Sequence, residues 1–180
     1  MILSKAEPMV NEIDLARSRM TITVGLGEIK VVRDPAAVLA SFGLGSCVAV
    51  CAYDLVAQVG GMMHVVLPSG SSKVMSPRSP GKYADTGMPL LIRELEDRGA
   101  ARSRILAKIA GGARVIHTAM SDGLLEMGQK NVAAVRAALD REGVPIVAFD
   151  TGGEHGRSVW LILKSGTMSV RTAVTTTVNL

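Results

Sequence analysis

Ser41–Val66, SFGLGSCVAVCAYDLVAQVGGMMHVV, holds both cysteines of the chain and one of its three histidines. A glycine-rich turn, Gly43-Leu44-Gly45-Ser46, delivers Cys47 to the head of an apolar run, and His64 follows in the next run. The two runs, SCVAVCAYD and QVGGMMHVV, are joined by a short polar connection and read as a β-hairpin. A two-residue turn at Leu55-Val56, closed by Asp54 and Ala57, would set Cys47 directly opposite His64, with Cβ atoms ~5 Å apart. At that distance an imidazole can take the thiol proton and leave a thiolate nucleophile. Cys47 is therefore expected to have a lowered pKa and to alkylate faster than Cys51. The plainer alternative is that Cys47 is a small buried hydrophobe and His64 a satisfied core residue. Two features favour chemistry. Cys47 sits where a loop meets a strand, so that backbone N–H groups around Gly45 and Ser46 can turn towards an oxyanion, and His64 matches it in register. Cys51, four residues deeper, reads as core.

Outward from this segment, residues 1–20 read as a loose, weakly amphipathic N-terminal extension, and residues 21–180 as one domain. TITVG and IKVV are short β-type runs around Gly25-Leu26-Gly27, and Asp34-Pro35 breaks the chain after them. PSGSSKVMSPRSPG, from Pro68 to Gly81, is a long loop and a candidate lid. A helix is expected from about Asp85 to Arg98, with Leu90, Leu91 and Leu95 at helical spacing and Gly99 as its stop. RILAKIA reads as a strand leading into Gly111-Gly112. NVAAVRAALDREG reads as a second helix with Val132, Val135 and Leu139 on one face. VPIVAFD reads as a buried strand, and SVWLILKSGTMSVRTA as a hairpin about Ser165-Gly166.

Composition narrows the function classes. Hydrophobic residues make up 48% of the chain and charged residues 20%, the balance of a globular protein. The net charge of +4 is scattered, and aromatics are only 3%, so the chain lacks both a basic stripe for duplex phosphates and a stacking platform for single strands. No nucleic-acid partner is expected. No apolar run approaches the roughly 20 residues of a membrane helix, and the first residues have no signal-peptide core. A cytoplasmic protein, not membrane-embedded, is expected. As a strand, Cys47 to Cys51 spans ~13 Å, beyond the ~7 Å a disulfide tolerates. GLGSCV has Val48 where a dinucleotide-binding pattern needs its third glycine, and the cysteines and histidines lack zinc spacing. His117 and His155 have no ligand-type neighbours and read as surface residues. Neither a metal nor an organic cofactor is expected.

These residues resemble the chemoreceptor glutamine deamidase family, CheD, of bacterial chemotaxis. The similarity runs from about Thr23 to Arg171 and is carried in order by GLGSCVAVCAYD, VGGMMHVVLP, GKYADTG, KIAGGA, GQKN and DTGGEHGRSV. The resemblance implies that Cys47 is the nucleophile and His64 the base. A third residue, commonly Thr and six positions before the Cys, orients that base; here it is Ser41, which keeps the hydroxyl and loses the methyl. The GxRN element of the family stands here as Gly128-Gln129-Lys130-Asn131, with Lys in place of Arg. Tyr83, Asp85, Asn131 and Arg157 lie in the matching motifs and are expected to contact substrate or a partner. The implied fold is a single α/β domain of the α+β type, two packed mixed β-sheets flanked by helices, like cysteine hydrolases of the toxin-deamidase kind. The implied activity is hydrolysis of chemoreceptor glutamines to glutamates, which then accept adaptational methylation. Chemoreceptor cytoplasmic domains (methyl-accepting chemotaxis proteins) are the implied partners, with a CheC-type phosphatase as another. Two further readings are a non-enzymatic adaptor docking the same partners, and a redox-sensing thiol, the latter weakened by the absence of a resolving cysteine within reach.

Overall fold

The computed structural model describes residues 21–70, 78–114, 126–172, 174 and 177–180. The N-terminal extension, His117 and the middle of the candidate lid lie outside these residues. In chain order the elements are β1 (Thr21–Thr23), β2 (Ile29–Val32), β3 (Val38–Leu44), β4 (Val48–Asp54), β5 (Val59–Val65), helix α1 (Ala84–Asp97), a single 3-10 turn (Arg102–Arg104), β6 (Leu106–Gly111), helix α2 (Met127–Arg141), β7 (Ile146–Thr151), β8 (Arg157–Ile162), β9 (Thr167–Thr172) and β10 (Val178–Asn179). The strands form two mixed sheets, one ordered β2-β5-β4-β6-β7 and the other β1-β3-β8-β9-β10. No described helix is long and apolar enough to cross a membrane.

The first sheet is central. One face carries α1 and α2, which bury Met88, Leu91, Ile92, Leu95, Val135 and Leu139 against Val48, Val50, Val59 and Met63. Each such large side chain contributes about 2 kcal/mol. The other face packs on the second sheet, where Ala49, Cys51, Tyr53 and Met62 meet Leu39, Leu44, Val159, Leu161 and Met168. Coverage on both faces explains why β4 and β5 are buried at every position and read as unbroken apolar runs. On β5, residues 60, 62 and 64 face the second sheet, whereas 59, 61, 63 and 65 face the helices. A Cβ on Gly60 would meet Leu163, and one on Gly61 would meet Leu91 and Val31. His64 therefore points between the sheets.

The hairpin register differs from the expected one. Asp54 pairs with Val59, so the loop is four residues, Leu55–Gln58, rather than two. The Asp54 carboxylate accepts the N–H groups of Val56 and Ala57, and Gln58 takes a left-handed φ of 54°. This side-chain cap draws the turn out, and His64 pairs with Ala49 instead of Cys47. A slip of two residues preserves the face of every strand side chain, and Cys47, one residue before β4, packs against the inter-sheet cluster towards which His64 points.

Two other segments depart from expectation. Val38–Leu44, to which the sequence reading assigns no element, is the seven-residue β3. VPIVAFD forms β7, but as the edge of the central sheet, with Val147 and Phe149 about half exposed. The helices and the β8–β9 hairpin stand where expected, α2 starting one turn earlier at Met127.

Candidate active site

Strand β3 belongs to the second sheet and β4 to the central one, so Gly45–Cys47 is the step of the chain from one sheet to the other. The approach is bent deliberately. Ser41 pairs with Val159 and Leu44 with Arg157, so β3 spends one residue more than β8 over this interval. Gly43 absorbs the bulge at a left-handed φ of 68°.

The step is then pinned. Gly45 C=O accepts Ala113 N–H (2.8 Å), and Cys47 C=O accepts Gly112 N–H (2.7 Å). Ser46 C=O accepts the amide of Asn131 (2.9 Å). In a planar trans peptide the N–H points opposite to its carbonyl. The Ser46 and Cys47 N–H groups therefore face away from these anchors, and among the described residues neither finds an acceptor. They form an open pair of donors beside the thiol. The anchors need close approach: a Cβ on Gly111 would collide with the Cys47 carbonyl, and one on Gly112 with Val132 and Gly128.

His64 reaches the same place from β5. The turn between β1 and β2 clasps its backbone, His64 N–H donating to Glu28 C=O (3.1 Å) and Gly27 N–H to His64 C=O (3.0 Å). Its side chain meets Ser41 across the inter-sheet space, with Nδ1 to Oγ at 2.9 Å. Ser41 Oγ also donates to Val24 C=O at 3.0 Å. A carbonyl has no proton to give, so the serine proton goes to Val24 and Nδ1–H must donate to Oγ. The tautomer follows. Nε2 carries the lone pair, and it has no partner in the structure although it is buried.

Electrostatics set the resting state. Burial lowers the His64 pKa, opposed in part by the Val24 carbonyl, so the imidazole is neutral at pH 7. Burial raises the Cys47 pKa, so the thiol is protonated. The expectation of a lowered thiol pKa is not met, because Nε2 makes no hydrogen bond to sulfur and the base is uncharged. At rest the site therefore holds a protonated thiol and an uncharged imidazole. Cys51 is fully buried and pushed up to about 12.

The other sequence-derived residues divide. Asn131 is fully buried, its amide bridging Ser46 C=O and Val66 C=O (3.0 Å), and so joins the β3–β4 step to the chain just after β5. Arg157 is also buried, donating to Asp150 (2.8 Å) and to the His155 carbonyl (3.1 Å). Tyr83 and Asp85 hold the start of the loop after β5: the Tyr83 ring lies against Gly70, and Asp85 accepts the Gly70 N–H (3.2 Å). Tyr83 and Asp85 remain partly exposed, and His155 is exposed. The Val24 carbonyl and the role of Gly111-Gly112 were not anticipated; two successive glycines ending a strand were the available signal for the latter. Among the described residues no cluster of His, Cys, Asp and Glu could hold a metal.

The model of the family described as CheD, chemotactic sensory transduction, matches residues 66–172, a span beginning just after His64. This chain is similar to the probable chemoreceptor glutamine deamidase CheD of Symbiobacterium thermophilum, with 48% identity over 149 residues, covering 83% of this chain and 90% of that one. It is likewise similar to the chemoreceptor glutamine deamidase CheD of Thermotoga maritima, 44% identical over 152 residues, covering 84% and 92% respectively. Among solved structures it is similar to a Neisseria meningitidis protein of the DUF152 family, at 11% identity and a TM-score of 0.48, covering 79% of this chain and 68% of that one. That likeness is too weak to bear on function.

Proposed function

This chain belongs to the CheD family, and from that premise we propose that it deamidates glutamine side chains of chemoreceptor cytoplasmic domains, acting in the cytoplasm. One observation supports the mechanism above all others: the relay from Val24 C=O through Ser41 Oγ to His64 Nδ1, which leaves Nε2 as a buried lone pair without a partner. Cys47 Sγ attacks the carboxamide carbon while Nε2 accepts the thiol proton. The tetrahedral oxyanion is stabilised by the Ser46 and Cys47 N–H groups. The imidazolium returns its proton to the amine, the C–N bond breaks, and ammonia leaves a thioester on Cys47. His64 then takes a proton from water, hydroxide adds to the thioester, and the thiolate departs and is reprotonated, giving glutamate. Ser41 holds the imidazole in the productive tautomer throughout. This sequence of steps draws on no group beyond the chain and water.

The direct test is to incubate the protein with a receptor cytoplasmic fragment and map Gln-to-Glu conversion by mass spectrometry. Conversion by wild type and none by Cys47→Ala is expected. Conversion by a folded Cys47→Ala protein would refute the mechanism, and its absence from both would refute the activity.

A further inference from the structure

Where the β3 bulge adjoins the ends of β8 and β9 lies a second feature with chemistry of its own. A hollow of about 240 Å³ is lined by Gly43, Gly156, Arg157, Ser158, Arg171 and Thr172. Two of the six are arginines, and none is a carboxylate. Arg157 is more than nine-tenths buried; its Nη atoms are engaged by Asp150 and the His155 carbonyl, but Nε has no partner. The Asp150 carboxylate offsets the Arg157 charge, leaving Arg171 as the lining charge that sets the sign of the hollow. Arg171 is exposed and held in place, its guanidinium 5.4 Å from the Trp160 ring centre, while Trp160 packs edge-on against Phe42 at 5.6 Å. An added Cβ on the exposed Gly43 would meet nothing within 4 Å, so the hollow is open beside the strand that leads to Cys47.

We propose that this hollow is a subsite for a carboxylate side chain of the protein substrate, with Arg171 as the residue that selects acidic substrates. The proposal rests on the deamidase reading. Four Cα-to-Cα steps of chain lead from Gly43 to Cys47, a reach of at most ~14 Å. On a helical substrate that distance corresponds to one or two turns, so the acid would lie about four or seven residues from the target glutamine, on the same helix face. The exposed Arg171 guanidinium supplies the charge, and Ser158, its cross-strand partner on β8, stands on the same face of the sheet with a hydroxyl to add a donor.

Helical peptides carrying one glutamine, with Glu or Ala four or seven residues away, test this in two assays. The first is binding to full-length Cys47→Ala protein, read by the emission of Trp160, the single tryptophan of the chain. Here the Glu peptide should bind about tenfold more tightly than the Ala peptide, a difference that shrinks with added salt. The second is deamidation by otherwise wild-type protein, where the preference should lie in KM with kcat little changed. Arg171→Ala should abolish the preference in both assays, and Arg171→Glu should transfer it to a Lys peptide. Equal binding of Glu and Ala peptides would overturn the subsite, as would a preference that survives Arg171→Ala. Inorganic phosphate that displaces both peptides equally would mark a free-anion site and overturn it too. Failure of wild type to deamidate any peptide, with the binding preference intact, would instead overturn the deamidase reading.

Discussion

Ser41 has one proton and two claims on its oxygen, and which claim takes the proton decides what His64 can do. Because Val24 C=O takes it, Nδ1–H is held as a donor and Nε2 is left basic. Ser41→Ala should therefore lower kcat about tenfold with little change in KM, since the imidazole loses its tautomer and not its place. Ser41→Thr should retain activity, because the threonine hydroxyl can repeat both bonds. His64→Ala removes the base itself and should cost about 10²- to 10⁴-fold in kcat. A Ser41→Ala loss as large as that of His64→Ala would show that Ser41 does more than orient. The acid limb of kcat/KM offers a second measurement. The His64 pKa lies below its ordinary 6.5, so the base stays deprotonated as pH falls through 6.5 and activity should decline only below it. A half-maximum above pH 6.5 would mean that the folded site favours imidazolium. Alkylation separates the thiols: Cys47, half-buried, should label in the native protein, and Cys51 only after unfolding. Because both partners are neutral at rest, His64→Ala should leave the labelling rate of Cys47 within a few fold of wild type.

At the scale of elements, the β3–β4 step is fastened to α2 and to the end of β6, and the proposed chemistry requires that fastening. Asn131→Ala frees the Ser46 and Val66 carbonyls at a cost of about 1–3 kcal/mol for each buried group left unsatisfied. It should lower the melting temperature and cut kcat together. Asn131→Asp should be worse, since a carboxylate offers those carbonyls no donor; urea melts and rates on the same preparations would check both. This fastening also marks where sequence reading succeeds and stops. The strand pair was legible because both faces of the central sheet are covered and its apolar runs are uninterrupted. The face shared by Cys47 and His64 was legible too, since it depends only on parity. The exact register was not, because the Asp54 carboxylate lengthens the turn. Strand β3 was hidden by Ser41, Gly43 and its bulge, features that serve the site and weaken the strand pattern. Phe149 made β7 look like core, whereas its ring lies under Arg136 at the edge of the sheet, 4.5 Å from the guanidinium. Asn131 was found from motif resemblance, but its buried role needed the third dimension.

Across the whole molecule, the carboxylate of Asp54 ties the hairpin that carries His64 to the segment between α1 and β6. Asp54 ends β4, caps the following loop, and is almost completely inaccessible. Its second oxygen accepts Ala101 N–H at 2.9 Å, and Arg104 closes over it at 2.8 and 3.2 Å, fixing the segment between α1 and β6. Burial alone would raise this carboxyl; the Arg104 hydrogen bonds and the Ala101 and Ala57 N–H groups overcome it and lower the pKa from 3.8 to about 2. Unfolded, the group takes up its proton near pH 3.8; folded, it resists until about pH 2. Its contribution, about 2 kcal/mol, is thus fully present above pH 3.8 and is lost as pH falls towards 2. Asp54→Asn should lower stability by about that amount at pH 7, and the gap from wild type should close as pH approaches 2. Arg104 is about half exposed, so water can solvate it once its partner is neutral, and the loss should not grow beyond this. Urea midpoints measured from pH 7 down to 2 on both proteins decide the matter. Parallel curves would mean that Asp54 holds the hairpin through its hydrogen bonds alone, and converging curves that its charge carries the tie.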